Sequence, residues 1–323
     1  MRRVKLGRTG VEVPVISVGT WSYGGKNTSG PVSVGWSGHD PAQAEAALRE
    51  AHALGLTHWD TADVYGNGRS EELIGRVLAD LPREELFLAS KVGWDKGGHD
   101  QAYHPDVIRA HLERSLTNLG VEQLDLFYLH HCDFGPSDAS LDDAVALLRE
   151  LRDEGKFRFV GLSDWDCAKI VRVADRVDPD VIQPYRNVAA DTYVSSGLKA
   201  WIDEHDAGVA FFSPIRHGLL LGKHEGPQAY PEGDFRQNVA GFADAELLAD
   251  LRAKAAQLRE RLGGGEEAVL RGLLQPLLSD SPTGCVLLGL RTPDQVRQAA
   301  AADAALESDQ VAFVRELYAD LEV

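Results

Sequence analysis

The chain has 323 residues, with 33 Lys and Arg against 50 Asp and Glu, a formal net charge of −17. That length suits two average domains or one large α/β barrel, and an acidic balance without a basic stripe argues against a nucleic-acid partner. No uncharged apolar run reaches the roughly 18 residues of a membrane span, and the opening MRRVKLGRTGVEVPVI lacks the apolar stretch of a secretory signal.

In chain order, PVISVGT (14–20) predicts a strand, and PAQAEAALREAHALG (41–55) a helix beyond a Gly-rich stretch. LTHWDTA (56–62) predicts a strand. SEELIGRVLADL (70–81) predicts a helix with Ser70 as N-cap and two glutamates in its first turn, where the helix dipole favours negative charge. The strand LFLASKVG (86–93) leads to the helix PDVIRAHLERSLTNLG (105–120), with Pro near its start and Gly past its end. LDLFYLHH (124–131) is a strand before SLDDAVALLRELRDEG (140–155), a helix capped by Ser140. The pairs FRFVGLS (157–163) with CAKIVRVADR (167–176) and VIQPY (181–185) with GLKAWIDEHD (197–206) follow. GVAFFSP (208–214) opens into a long loop, 215–243, then helices near 244–262 and 266–278. CVLLGL (285–290) is the last strand, and helices near 293–304 and 307–321 complete the order.

These segments make eight strand–helix alternations whose strands are continuous apolar runs, as when both faces of a sheet are buried. The order permits a closed (β/α)8 barrel or a doubly wound open sheet. No GxGxxG follows the first strand and no Walker A sequence occurs, so the usual nucleotide signature of the open sheet is missing. No linker or composition break divides the chain, and one domain over residues 1–323 is expected. Cys132, Cys167 and Cys285 are odd in number and far apart; they form no disulfide framework or paired metal motif, which suits a reducing cytoplasm.

In a barrel, function gathers at the C-terminal ends of the strands. Those ends carry Asp60 and Tyr65, Lys91, His130 and His131, Ser163 and Asp164, Gln183, and Phe212 with Ser213. A carboxylate, a phenol, an amine and an imidazole on one rim can run proton transfer: Lys91 beside the phenol lowers its pKa, Asp60 holds the lysine, and His130 orients a substrate oxygen. Strand alternation points His130 and His131 opposite ways, so only one faces the mouth. Cys132, next to His131 and Asp133, supplies too few convergent ligands for a metal, and none is expected. Trp21, Trp36, Trp94 and Trp165 lie in or near rim loops and are candidates to line an apolar pocket.

Taken together, DTADVYG (60–66), ASKVG (89–93), LERSLTNLGVEQLDLFYLHHCD (112–133), GKFRFVGLS (155–163), SPIRHGLLLGK (213–223) and LLGLRTPDQ (287–295) resemble the aldo-keto reductase family, in family order and across the whole chain. The resemblance implies a (β/α)8 barrel with a short N-terminal β-hairpin under its base and extra C-terminal helices. It implies a nicotinamide dinucleotide cofactor, NADPH rather than NADH, and a small-molecule carbonyl substrate. The family's catalytic positions fall on Asp60, Tyr65, Lys91 and His130, with Tyr65 as proton donor to a carbonyl oxygen; His130 is chosen because Leu129, His130 and Asp133 match the family's LHxxD pattern.

The cofactor positions implied by the same resemblance are Gly19, Thr20, Trp21, Ser163, Asp164, Gln183, Phe212, Ser213, Pro214, Gly218, Leu220, Lys223, Gly289, Arg291 and Gln295. Ser163 and Gln183 sit where the family holds the nicotinamide carboxamide, Phe212 where a ring stacks on nicotinamide, and Ser213 to Lys223 match the loop over the pyrophosphate. Arg291 meets the adenosine 2′-phosphate, which its planar fork suits. Asp164 replaces the usual Asn and cannot donate the same hydrogen bond; Gln298 and Ala299 replace the pair that meets adenine. A catalytically weak NADPH-binding regulatory subunit, like the channel β-subunits of the family, is the alternative. A metal-dependent isomerase or Schiff-base lyase on the same barrel leaves Tyr65 without a role. The chain ends soon after its last helix, so an open pocket is expected; the sequence sets no oligomeric state.

Overall fold

The computed structural model describes residues 1–321. β1 (Arg3–Lys5) and β2 (Glu12–Pro14) pair antiparallel as the expected N-terminal hairpin. It closes the base of the molecule: Leu6 is fully buried among Phe87, Leu126, Val181 and Ala210, and Arg8 N donates to Asp206 O at 2.5 Å. β3 (Ile16–Gly19) starts the barrel. A small hairpin, β4 (Thr28–Ser29) with β5 (Val32–Ser33), then rises from the 22–40 loop, which was not expected to hold strands. β6 (His58–Asp60), β7 (Phe87–Val92), β8 (Leu124–Leu129), β9 (Phe157–Asp164), β10 (Val181–Pro184), β11 (Gly208–Phe211) and β12 (Gly284–Gly289) follow in order, all parallel, and β12 returns to pair with β3. The fold is the closed eight-stranded (β/α)8 barrel.

Helices α1 (Pro41–Ala53), α2 (Arg69–Leu78), α3 (Pro105–Leu119), α4 (Leu141–Asp153), α5 (Cys167–Val177) and α6 (Leu198–His205) follow successive strands. α7 (Ala245–Leu262) and α8 (Glu266–Ser279) separate β11 from β12, and α9 (Pro293–Ala301) and α10 (Ser308–Tyr318) end the described chain. Apolar spacing places each helix. In α5, Cys167, Ile170, Val173, Ala174 and Val177 fall on one stripe and are all buried against the barrel, while its arginines stay outside. α7 and α10 build a second, smaller core with Leu219, Leu220 and Phe242 beside the barrel.

Two expected caps differ. α2 starts one residue earlier, behind Gly68 in a left-handed turn, and Ser70 lies inside it. The Ser70 hydroxyl bonds instead to Thr20 O at 3.1 Å and to the Thr20 and Thr61 hydroxyls, tying α2 to the ends of β3 and β6. Ser140 has helical backbone angles and makes no capping bond, so its hydroxyl is not presented to the N–H groups of the next turn.

Period-two alternation decides which strand residues meet the barrel axis. His58 and Asp60, Phe87, Ala89 and Lys91, Leu126 and Tyr128, and Val181 and Gln183 share the inside, whereas Trp59, Leu88, Val92, Phe127 and Leu129 pack outward against helices. Below the C-terminal end the inner layers are mostly apolar, with His58 and Ser17 paired to each other at 3.0 Å. A surface groove of about 830 Å³ lies at the opposite end. There Asp125 is already paired with Arg83 and Arg158, both at 2.7 Å.

Candidate active site

Parallel register sets the expected catalytic positions side by side: Gly19 pairs with Asp60, Asp60 with Ala89, and Lys91 with Tyr128. Lys91 is fully buried. Its Nζ donates to Asp60 Oδ1, to Thr61 O at 2.6 Å and to Tyr65 Oη at 3.5 Å, so all three ammonium hydrogens have acceptors. The cation also lies between two rings, 5.1 Å from the Tyr65 centroid and 5.8 Å from that of Tyr128. Tyr128 reaches this position because Gly161 opposite has no side chain; a Cβ there would come within 2.1 Å of the ring.

Tyr65 stands on the turn after β6, held by close backbone packing. Gly66 has φ +62°, and a Cβ on Gly24 would sit 2.4 Å from Gly66 N. Arg69 clamps the same contact by donating to Gly24 O and Lys26 O, both at 2.8 Å. His130 faces Tyr65 edge-on, with centroids 5.8 Å apart, and touches Trp94 at 6.0 Å. Its Nδ1 has no partner among the described residues. His131 points outward, as alternation requires: Nε2 meets Gly93 O at 2.6 Å while Nδ1 accepts from Asp133 N, and the ring packs on Trp94 and Tyr103.

The electrostatics differ from the expected lowering of the phenol pKa by Lys91. Tyr65 is held well above the ordinary phenol range, first by burial and then by the carboxylates of Asp60 and Asp63. Lys91 does not reverse this, because its own charge is matched by Asp60 and burial pushes its pKa down. Tyr65 therefore remains a protonated acid. His130 is pushed well below its usual value by burial and by Lys91, so its imidazole is neutral.

The expected cofactor positions divide into two sets. Four are committed to the protein. Thr20 is buried, donating to Asp60 O at 2.9 Å. Asp164 accepts from Cys132 N at 2.7 Å and Asp166 N at 2.9 Å; both carboxylate oxygens thus fix backbone, which a single amide oxygen could not match, and this accounts for Asp in place of Asn. Gln183 spends its amide N–H on Asp60 Oδ2 at 2.8 Å, a contact that positions Asp60 and that the sequence did not reveal. Ser163 donates to Gln183 O at 2.9 Å and holds that strand end in turn.

Among the rest, Phe212 keeps its ring beside Trp165 and Tyr185 at the mouth, with centroids 4.8 and 5.6 Å away. Ser213 and Gly218 have left-handed backbone, φ +57° and +92°, so the 213–222 loop turns sharply back over the rim. Pro214 and Leu220 are buried, the latter in the smaller core, which leaves only their backbone for a ligand. Lys223 pairs with Glu266 at 3.1 Å, and any phosphate would compete with that carboxylate. Gln295 caps Arg291 N at 2.7 Å.

A dinucleotide suits what remains. Arg291 donates only to Ser37 O, at 3.2 Å, and pairs with no carboxylate among the described residues. Arg216 Nε is buried without a partner. Gly289 is exposed, and a Cβ there would meet nothing nearer than Ser22 Oγ at 3.8 Å.

The mouth is roofed, not open. Trp21 stacks on Tyr65 at 6.1 Å and touches Phe235 at 4.8 Å; Phe235 continues to Trp165 at 6.1 Å, and His217 lies among all of these with Trp36. The β4–β5 hairpin and residues 233–238 interlock to hold these rings. Phe235 N donates to Gly35 O, Asn27 N to Gly233 O, and Asp234 accepts from Ser37 N at 2.7 Å. The expectation of openness looked to the chain's end, whereas the cover comes from two internal loops.

The family model for the aldo/keto reductase family matches residues 15–319. An NADH-specific methylglyoxal reductase of Escherichia coli strain K12 is 29% identical over a 340-residue alignment covering 100% of both chains. A probable voltage-gated potassium channel subunit beta of Arabidopsis thaliana is 26% identical, over 80% of this chain and 78% of that one. The solved glycerol dehydrogenase of Gluconobacter oxydans superposes with a TM-score of 0.80 at 25% identity, covering 98% of this chain and 95% of the other. With the whole barrel matched from its first strand to its last helix, the chain belongs to the aldo/keto reductase family.

Proposed function

We propose that this protein is an NADPH-dependent reductase of aldehydes or ketones, reversibly oxidising the corresponding alcohols, with Tyr65 as the general acid and base. The observation that carries the reading is the Lys91 ammonium: its three hydrogens are taken by Asp60, Thr61 and Tyr65, which leaves the Tyr65 proton free to point at a substrate oxygen. Neutral His130, edge-on to the phenol, directs the carbonyl toward Tyr65. Gln183 and Lys91 hold Asp60 from two sides and keep the group rigid. A bound dinucleotide would supply the hydride for the carbonyl carbon, and Tyr65 gives its proton to the carbonyl oxygen. Phe212, Gly289, Arg216 and Arg291 would hold the dinucleotide, and unpaired Arg291 favours the extra phosphate of NADPH, although one relative is named for NADH. Among the described residues no helix is long and apolar enough to cross a membrane, and the three free, buried cysteines suit a cytoplasmic setting.

The test is oxidation of NADPH over a panel of aldehydes and ketones by wild type and Tyr65→Phe. Removing the general acid is expected to lower kcat/KM by about 10²–10⁴-fold while dinucleotide affinity holds. The regulatory reading has the plant channel subunit in its favour; tight dinucleotide binding with no Tyr65-dependent turnover would establish it instead.

A further inference from the structure

The inner face of α3 buries Val107, Ile108, Leu112, Leu116 and Leu119, and an imidazole, His111, stands among them, only 5% exposed. The chemistry proposed above gives it no role. Its Nδ1 lies 2.5 Å from Oδ2 of Asp63, which is itself fully buried. A carboxylate only accepts, so Nδ1 carries the hydrogen. Arg114 comes within 3.1 Å of the same nitrogen, but with that hydrogen aimed at Asp63 it finds no lone pair there, and its distance to the carboxylate is 3.9 Å. Nε2 faces the exposed Asp95 at 3.6 Å, too far for a hydrogen bond. Asp63 Oδ1 has no partner among the described residues. Among those residues, His111 is thus the one side-chain donor within reach of the Asp63 carboxylate.

Asp63 opens the turn that carries Tyr65. Gly66, Asn67 and Gly68 run consecutively at φ +62°, +55° and +94°. Within the turn the bonds are local, Tyr65 N to Ala62 O and Asn67 N to Val64 O, both at 3.1 Å. Such backbone persists only where its surroundings fix it. α3 fixes it at both ends: His111 holds Asp63 before the turn, and Asn118 Nδ2 donates to Glu71 Oε2 at 3.0 Å after it. Two helical turns apart, these side chains share one face of α3. Glu71 has a second anchor in Ser90 Oγ at 2.7 Å. Asp63 has only a long backbone bond, 3.3 Å, from its N to Lys91 O. Its end of the turn therefore depends on His111. Placement matters here, because the Lys91 contact with Tyr65 Oη is itself long, 3.5 Å, and aims the phenol only weakly.

On the reductase reading above, we propose that His111 is a positioning residue for Tyr65: through Asp63 it fixes the turn that aims the proton donor. It sets turnover from outside the active site and leaves ligand affinity to other residues.

The experiment compares wild type, His111→Leu, His111→Asn and Asp63→Leu/His111→Leu. For each it measures kcat and KM with NADPH and the best carbonyl of the panel, NADPH Kd by fluorescence, urea stability, and hydrogen exchange of the ligand-free protein. His111→Leu leaves a buried carboxylate without a donor and is expected to lose stability. Its kcat should fall about 10–100-fold, as when a reacting group is slightly misplaced, with KM and Kd unchanged. Exchange at residues 62–68 should quicken while the barrel strands stay protected. His111→Asn, whose Nδ2 takes the place of Nδ1, should recover most of kcat and of the protection. The double variant buries no unpaired charge and should recover stability but not kcat, because the link is still missing. In a Tyr65→Phe background, with no phenol to aim, His111→Leu should lower kcat no further. A kcat that returns with stability in the double variant, or that falls equally with and without Tyr65, makes the pair structural only and overturns the proposal. So does a His111→Leu protein with wild-type kcat; each of these leaves the reductase reading intact. A wild type that reduces no carbonyl at all refutes the reductase reading, and the positioning role with it.

Discussion

Replacing Lys91 with Met tests how the proposed catalytic cluster is held. Methionine approximates the length of lysine but donates nothing, so Asp60 Oδ1, Thr61 O and Tyr65 Oη all lose their donor. Asp60 would remain as a buried carboxylate supported by Gln183 alone. Breaking a buried ion pair from one side costs about 3–5 kcal/mol, because the other charge is left uncompensated. Asp60→Asn leaves Lys91 with Thr61 and Tyr65 and should cost somewhat less. The double variant Asp60→Asn/Lys91→Met buries no unpaired charge, and its loss should fall about 2–3 kcal/mol short of the sum of the single losses. Urea unfolding at pH 7, followed by tryptophan fluorescence and circular dichroism, gives the cycle. The activity arm should move differently: kcat/KM falls about 10²–10⁴-fold in Lys91→Met and is not recovered in the double variant. A Lys91→Met protein as stable as wild type, or strictly additive losses, would refute the description of this cluster as one closed ion pair.

Other consequences are as direct. Arg291→Met should raise the KM for NADPH about 10–100-fold, as expected when a charge-assisted hydrogen bond is lost, and leave that for NADH nearly unchanged; parallel losses would place Arg291 elsewhere. His58 and His217 are pushed down to about 3 and His130 well below its usual value. The unfolded chain therefore takes up protons below about pH 6.5 that the folded chain refuses, and stability should be full above that pH and fall as pH drops toward 5. Each of these histidines contributes a slope of about 1.4 kcal/mol per pH unit; His217→Phe should flatten the total by that amount, and an unchanged slope argues that this ring is not neutral. Asp234→Ala removes the carboxylate joining Ser37 to Arg236. Hydrogen exchange at Trp36 and Phe235 should then quicken while the barrel strands stay protected; uniform behaviour would show that the roof is not an independent unit.

Much of this protein was determined by sequence alone, because its signals are local and periodic. Uniformly apolar strands and amphipathic helices such as α5 specify the alternation, and the parity of side chains along a strand already separates His130 from His131. Four residue types suited to proton transfer at strand ends, together with the family motifs around them, mark one rim. What the sequence could not decide depends on neighbours distant in the chain. The Tyr65 pKa is set by burial and by carboxylates of two positions at once, so it rises where Lys91 alone was expected to lower it. Ser70 forgoes its capping role because Thr20 and Thr61 offer hydroxyls fifty and nine residues away. Gln183 and Asp164 carry polar side chains that fit a ligand equally well on paper; only closure of the barrel places Asp60 and the Cys132 amide within their reach. The roof is the clearest case. Residues 22–40 and 215–243 carry no period that predicts their meeting, and it is their backbone pairing across some 200 residues that brings Trp36 and His217 together above the mouth.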